Sequence, residues 1–227
     1  NAEFGIGMDG DGDRIGVVDE NGKFIHPDRL MTIFVKDILG EREGGTESER
    51  TVFYDVKCSM ALEEVIYSSG GFPKMVRTGH SFMKRELKEN PDSPLAGEMS
   101  GHFFLNDRWP GFDDSLYNTA RLLEIIARES SPRDGGPKFS DWFDDLPNYA
   151  STGEAKVPLT QNRKETMDSV ERIFSDMKYS SVDGVRVRYP EGWFLCRPSN
   201  TEPILVMRAE ANDEEGLTKI KQDVEKR

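Results

Sequence analysis

Three carboxylates alternate with glycines near the start of the chain, in the run Asp9-Gly10-Asp11-Gly12-Asp13, and Arg14 follows at once. Aspartates at i, i+2 and i+4 converge on one hard cation when the backbone turns between them. Gly10 and Gly12 permit that turn, because glycine reaches positive φ without steric cost. Oxygen-only ligands favour Mg²⁺, Mn²⁺ or Ca²⁺ over zinc. Arg14 adds a permanent cation beside the metal, an arrangement suited to gripping a phosphate. The expectation is a metal-assisted phosphate site on Asp9, Asp11, Asp13 and Arg14. Three other readings compete. An EF-hand would take Asp9, Asp11, Asp13 and Glu20 as calcium ligands, but its turn glycine is replaced by Arg14 and the flanks read as strands. A phosphatase would use Asp9 as nucleophile and Asp11 as general acid. A ligand-free acidic turn has the right residue types, but three aspartates this close repel one another unless a cation neutralises them.

Other constellations lie further along. Arg197-Pro198-Ser199-Asn200-Thr201-Glu202-Pro203 combines a guanidinium, two hydroxyls and an amide around a tight turn, which makes a compact anion cradle. Taken alone it is equally an ordinary loop between strands. Gly97-Glu98-Met99-Ser100-Gly101-His102 sets a carboxylate, a hydroxyl and an imidazole around another turn. Glu98 and Ser100 are suited to hydrogen-bonding sugar hydroxyls, and His102 to moving a proton near neutral pH. Lys57 and His80 are candidates for anion contact or proton transfer, or else cap and surface residues. His26 is given no role.

These groups need elements to hold them. Short strands flank the metal loop, Asn21-Gly22 marks a hairpin turn, and Lys23 to Ile25 is a short strand. Pro27 opens a helix from about Asp28 to Leu39. Glu41 to Arg50 reads as a surface loop. Strands are expected at Thr51–Val56, Phe72–Arg77, Leu95–Glu98 and His102–Leu105, with helices to about Ser69 and Asn90 between the first three. A longer helix, capped by Asp113 or Asp114, would run to Arg128 with Leu116, Ala120, Leu123 and Ile126 as its apolar residues. Alternating strands and helices imply an α/β domain with a mainly parallel or mixed sheet flanked by helices. Lys57, Thr78 to His80 and Glu98 to His102 then fall at successive strand ends, where open α/β sheets bind ligands. Ser130 to Gly136 reads as a linker, followed by a short helix near Phe139 to Leu146. From Ala150 the pattern becomes a smaller α+β domain with an antiparallel sheet: a strand near Ala155–Pro158, a helix from about Lys164 to Met177, a meander from Gly184 to Arg208, and a last helix from Asp213.

The 227 residues carry a net charge of −12, with 36% hydrophobic and 32% charged residues. That charge argues against a general nucleic-acid binder, and no apolar run is long enough to cross a membrane. Cys58 and Cys196 form no CxxC pair and read as reduced residues, so a cytoplasmic location is expected. The chain leads straight into its metal loop, and a fragment of a longer protein is expected.

Taken together, DGDGDR at Asp9 to Arg14, TGHS at Thr78 to Ser81, GEMSGH at Gly97 to His102 and RPSNTEP at Arg197 to Pro203 resemble the α-D-phosphohexomutases. The branch they resemble most is the bacterial phosphomannomutase/phosphoglucomutase enzymes. The resemblance covers nearly the whole chain. It implies the end of a second domain at residues 1–24, a sugar-binding third domain at 25–148 and a phosphate-binding fourth domain at 149–227. It implies Mg²⁺ on Asp9, Asp11 and Asp13, and Arg14 beside the reactive phosphate. Sugar recognition falls to Glu98, Ser100 and His102. Arg197, Ser199, Asn200 and Thr201 match the loop for the non-reacting phosphate. Lys57 and His80 match cleft residues that contact substrate and assist proton transfer. The implied partners are hexose phosphates, glucose or mannose 1- and 6-phosphate and the bisphosphorylated intermediate, together with N-terminal domains of the same protein. The family's phosphoserine lies in a Thr-Ala-Ser-His-Asn-Pro type segment, and this sequence has none. The chain is therefore expected to bind hexose phosphates without completing a catalytic cycle, and to hold its metal more weakly than the whole enzyme.

Overall fold

The structure is a computed structural model that describes residues 2–40, 44–128 and 135–227. The chain divides into two compact units, Asn1–Pro147 and Asn148–Arg227.

The first unit opens on an antiparallel hairpin, β1 (Phe4–Met8) and β2 (Ile15–Asp19), in which Met8 faces Ile15 across the aspartate loop. The pairing fixes both ends of the loop, so its carboxylates project from a rigid base. A second turn leads to β3 (Phe24–Ile25). There the Asp19 carboxylate accepts hydrogen bonds from the Asn21 and Lys23 amides at 2.9 Å each, and Gly22 adopts a φ of 79°. Helix α1 (Pro27–Gly40) starts with proline at its first position, where the missing N–H costs nothing. Most of its residues are buried.

Next come β4 (Thr51–Asp55), α2 (Met60–Ser68), β5 (Phe72–Val76), α3 (His80–Glu89), β6 (Leu95–Gly97), β7 (Phe103–Leu105) and α4 (Ser115–Arg128). The sheet order is β5-β4-β6-β7. β4 is parallel to β5 and β6, and β7 is antiparallel to β6. Strand alternation splits the core in two. Val52 and Tyr54 join Leu30, Met31 and Phe34 of α1 on one face, while Phe53 joins Met83 and Leu87 of α3 on the other.

Helix α4 departs from the expected face. Leu116 and Leu123 are 70% and 46% exposed and Ala120 is exposed too, while Ile126 is partly buried against the core. The buried side is Ser115, Asn118, Arg121, Leu122 and Ile125. Polar groups specify it. Asn118 Nδ2 donates to the Phe103 carbonyl at 2.9 Å, and buried Arg121 is clamped by Asp37 at 2.6 Å and Asp107 at 2.9 Å. Apolar periodicity alone cannot see a face whose partners are charged. The Ser130–Gly136 linker reading falls mostly on residues 129–134, and part of the Glu41–Arg50 loop on residues 41–43, all outside the described residues. The helix expected near Phe139 is a single 3₁₀ turn, Ser140–Phe143.

The second unit contains β8 (Ala150–Ser151), β9 (Ala155–Pro158), α5 (Arg163–Ile173), β10 (Tyr179–Ser180), β11 (Val185–Tyr189), β12 (Gly192–Pro198), β13 (Ile204–Ala211) and α6 (Glu214–Lys226). Every pairing in its sheet is antiparallel, in the order β10-β11-β12-β13-β8, with β9 also on β13. Phe174, Val187, Phe194, Cys196, Ala209, Leu217 and Ile220 form its core. Asn162 and Asp213 cap α5 and α6 by accepting amides of the first turn. β8 and β10, two residues each, went unread in the sequence.

Candidate functional site

The aspartate loop is held by its own first carboxylate. Asp9 Oδ1 accepts the Asp13 and Arg14 amides at 3.2 and 3.1 Å, and Oδ2 accepts Arg14 Nε at 2.5 Å. Gly12 makes the turn at φ 74°. Desolvation pushes the Asp9 pKa up, but the hydrogen bonds and charge of Arg14 outweigh it and the net value falls to about 2. The anion therefore persists throughout the neutral range. One carboxylate oxygen from each of Asp9, Asp11 and Asp13 lies within 4.8 Å of the others. Asp13 Oδ1 is buried without a hydrogen-bond partner among the described residues. An oxygen-only donor set with a spare buried lone pair fits a hard divalent cation.

Two backbone hydrogen bonds latch this loop to the rest of the first unit. Ile15 N–H donates to the Gly101 carbonyl at 3.2 Å, and Ser115 N–H donates to the Gly12 carbonyl at 3.0 Å. The first latch demands glycine. Gly101 has φ 96°, and a Cβ there would sit 2.7 Å from the Ile15 carbonyl oxygen.

The latches bring Asp13 to the two strand-end histidines. His102 Nδ1 lies 3.7 Å from Asp13 Oδ2 and 3.3 Å from Asp113 Oδ2, while His80 Nδ1 lies 3.4 Å from Asp113 Oδ2. The two imidazoles stack at 5.4 Å. Lys84 Nζ sits 2.6 Å from Asp113 Oδ1 and 3.3 Å from His80 Nδ1. Asp13, His80 and Asp113 also have metal-ligand spacing, but the Lys84 ammonium already neutralises Asp113. Burial is the largest influence on His102 and lowers its pKa below the ordinary imidazole value; Asp13 and Asp113 pull the other way. The net direction favours the neutral imidazole.

The Gly97–His102 turn is closed by Glu98 N–H to the His102 carbonyl at 2.9 Å and Gly101 N–H to the Glu98 carbonyl at 3.0 Å. The buried Glu98 carboxyl accepts the Gly79 amide on one oxygen and the Ser100 hydroxyl on the other, the latter at 3.1 Å. Burial first, then the charge of nearby Asp55, raises the Glu98 pKa to about 7. Lys57 is buried beside it and its charge opposes the rise. One unit therefore gathers Asp9, Asp11, Asp13, Arg14, His80 and His102, with Lys57, Glu98 and Ser100 around the adjoining turn. His26 packs edge-on to Phe24.

In the second unit, Arg197 Nε is paired with buried Asp183 at 2.7 Å, while its Nη2 is a buried donor without a partner among the described residues. Ser199 Oγ accepts the Thr201 and Glu202 amides at 3.3 and 3.2 Å, which shapes the turn that carries Asn200. Arg163 donates to the Ser199 carbonyl.

Sequence reasoning missed Lys84, Asp55, Asp183 and Arg163, and read Asp113 only as a cap. Asp114 does the capping, its Oδ1 accepting Leu116 and Tyr117 amides at 3.0 Å. Lys84 was within reach, since it follows His80 by one helical turn on the same face. The others act across 14 to 44 positions of sequence and leave no local signal.

Comparison with known proteins shows the family. Residues 26–148 match the family model "Phosphoglucomutase/phosphomannomutase, alpha/beta/alpha domain III", and residues 154–227 match that of the C-terminal domain. A phosphomannomutase/phosphoglucomutase of Pseudomonas aeruginosa is 43% identical over 226 residues, covering 97% of this chain and 46% of that protein. A phosphoglucomutase of Neisseria gonorrhoeae is 39% identical over 225 residues, with the same coverage. A crystal structure of a phosphoglucomutase/phosphomannomutase family protein from Burkholderia thailandensis superposes with a TM-score of 0.84 at 41% identity, over 99% of this chain and 46% of that one. The chain belongs to the phosphoglucomutase/phosphomannomutase family and carries its third and C-terminal domains. It spans about half the length of these relatives. Among the described residues no helix is long and apolar enough to cross a membrane.

Proposed function

We propose that this chain supplies the metal-binding, hexose-recognising and phosphate-holding parts of a Mg²⁺-dependent mutase. The enzyme would interconvert hexose 1-phosphate and 6-phosphate, of glucose or mannose, through a phosphoserine and a bisphosphorylated sugar. The observation that carries the reading is the latch of Ile15 onto Gly101, which sets a cation-fitting aspartate loop against the Glu98–His102 turn. A cation held by Asp9, Asp11 and Asp13 supplies charge neutralisation to a transferring phosphoryl group. Arg14 orients phosphate oxygens beside it. Glu98 and Ser100 fix sugar hydroxyls. Neutral His102, with His80 stacked on it, accepts the proton of the attacking hydroxyl. Arg197 Nη2 and the Ser199–Thr201 turn hold the distal phosphate, so positioning and charge carry the catalysis.

A phosphatase with Asp9 as nucleophile is the weaker reading, because it leaves the Gly97–His102 and Arg197–Pro203 turns without a role. The phosphoserine would come from N-terminal domains of the longer protein, so this chain alone binds without turnover, and the cytoplasm suits its soluble substrates. A ³¹P NMR time course with glucose 1-phosphate and Mg²⁺ tests the proposal. The expected result is a broadened or shifted substrate resonance with no new product. Release of inorganic phosphate above a blank would contradict it and favour the Asp9 phosphatase.

A further inference from the structure

A wholly buried aspartate, Asp55, closes the C-terminal end of β4 in the first unit. Its two carboxylate oxygens are divided between two loops. Oδ1 accepts the Lys57 amide at 2.7 Å and lies 3.8 Å from the Cys58 sulfur. Oδ2 reaches across 44 positions of sequence to accept the Met99 amide at 3.1 Å. Met99 sits between Glu98 and Ser100, and Lys57 is the buried cation beside Glu98. One carboxylate therefore ties the Lys57 turn to the Glu98–His102 turn.

We propose that Asp55 is a positioning residue for hexose recognition: it fixes the Glu98–Ser100 turn against Lys57 and so sets how Glu98 meets a sugar hydroxyl. The inference rests on the hexose-phosphate reading of that turn. Nothing in Asp55 itself reaches a ligand, since every atom of it is inside. Its reach is through Glu98. The groups facing Glu98 are the Asp55 carboxylate and Lys57 ammonium from the end of β4, the Gly79 amide ahead of α3, and the Ser100 hydroxyl on its own turn. Among them Asp55 is the one carboxylate, and like charge disfavours a second anion. Burial first and the Asp55 charge second raise the Glu98 pKa to about 7, so removing the Asp55 charge shifts Glu98 toward the carboxylate. An ordinary structural aspartate would brace the loop without touching the Glu98 ionisation.

The test is Asp55→Asn in the 227-residue chain, with Asp55→Ala beside it. Asparagine keeps one acceptor oxygen but removes the charge. Two quantities are read: the ¹³C titration midpoint of the Glu98 carboxyl, and the affinity for glucose 6-phosphate at pH 7. The expectation for Asp55→Asn is a midpoint lowered by about one unit or more and an affinity weakened roughly ten-fold, as the Met99 tie is lost. Asp55→Ala should weaken binding further. An unchanged midpoint overturns the proposal, and so does a lowered midpoint with unchanged affinity. Should either variant fail to fold, the unaltered chain decides: a ¹⁵N–¹³C hydrogen-bond coupling between the Met99 amide and the Asp55 carboxyl supports the tie, and its absence rejects it. Failure of the unaltered chain to bind glucose 6-phosphate counts against the hexose-phosphate reading, while the Glu98 midpoint still judges Asp55.

Discussion

Glu98 is the side chain through which pH acts most directly on the fold. Its pKa rises from 4.5 to about 7 on folding, because burial and then Asp55 disfavour the anion. Between those values the folded state holds more protons than the unfolded one. The favourable contribution is therefore fully present below about pH 4.5 and lost as pH climbs through 7. Glu98→Gln keeps the Gly79 bond on its oxygen, meets Ser100 with its NH2 donating to the hydroxyl, and removes the ionisation. Urea unfolding should show the wild-type chain losing up to about 3 kcal/mol relative to this variant between pH 4.5 and 8. Parallel curves for the two proteins would show that Glu98 ionises as freely folded as unfolded. At this scale the clustering of the three aspartates was legible in the sequence because they are nearly contiguous. The reach of Asp55 to Met99 and the contacts of Asp113 and Asp183 were not, because only the folded chain brings those partners near.

Helix α4 shows where pattern reading of an element stops. It runs to Arg128, the last described residue before 129–134, and its existence was legible from spacing and capping residues. Its inward face was not, because Asn118 and Arg121 are inside on account of the Phe103 carbonyl, Asp37 and Asp107. Adjacent leucines separate the two descriptions. Leu122 is fully buried and Leu123 is exposed, so Leu122→Ala should cost roughly 2–5 kcal/mol and Leu123→Ala less than about 1 kcal/mol. Equal losses in urea unfolding would restore the Leu116–Leu123 stripe as the packed face. The strands that carry the site were read more faithfully, since β4, β5 and the β6–β7 turn have both strong β-formers and sharp turn signals.

Across the whole molecule, the candidate residues are spread over nearly two hundred positions and over both compact units. The first unit carries the aspartate loop, the histidine pair and the Gly97–His102 turn, and the second carries the Arg197–Thr201 turn. That division was legible as four separate motifs in a fixed order. Three of the four lie within the residues that match the phosphoglucomutase/phosphomannomutase family models. The central claim is that these motifs serve one bisphosphorylated hexose. The most direct test is a ¹H–¹⁵N NMR titration of the chain with glucose 1,6-bisphosphate and Mg²⁺. The account predicts shifts at Asp9–Arg14, at Gly97–His102 and at Arg197–Thr201 with a common saturation curve. Shifts confined to Asp9–Arg14, matching those from Mg²⁺ alone, would contradict it.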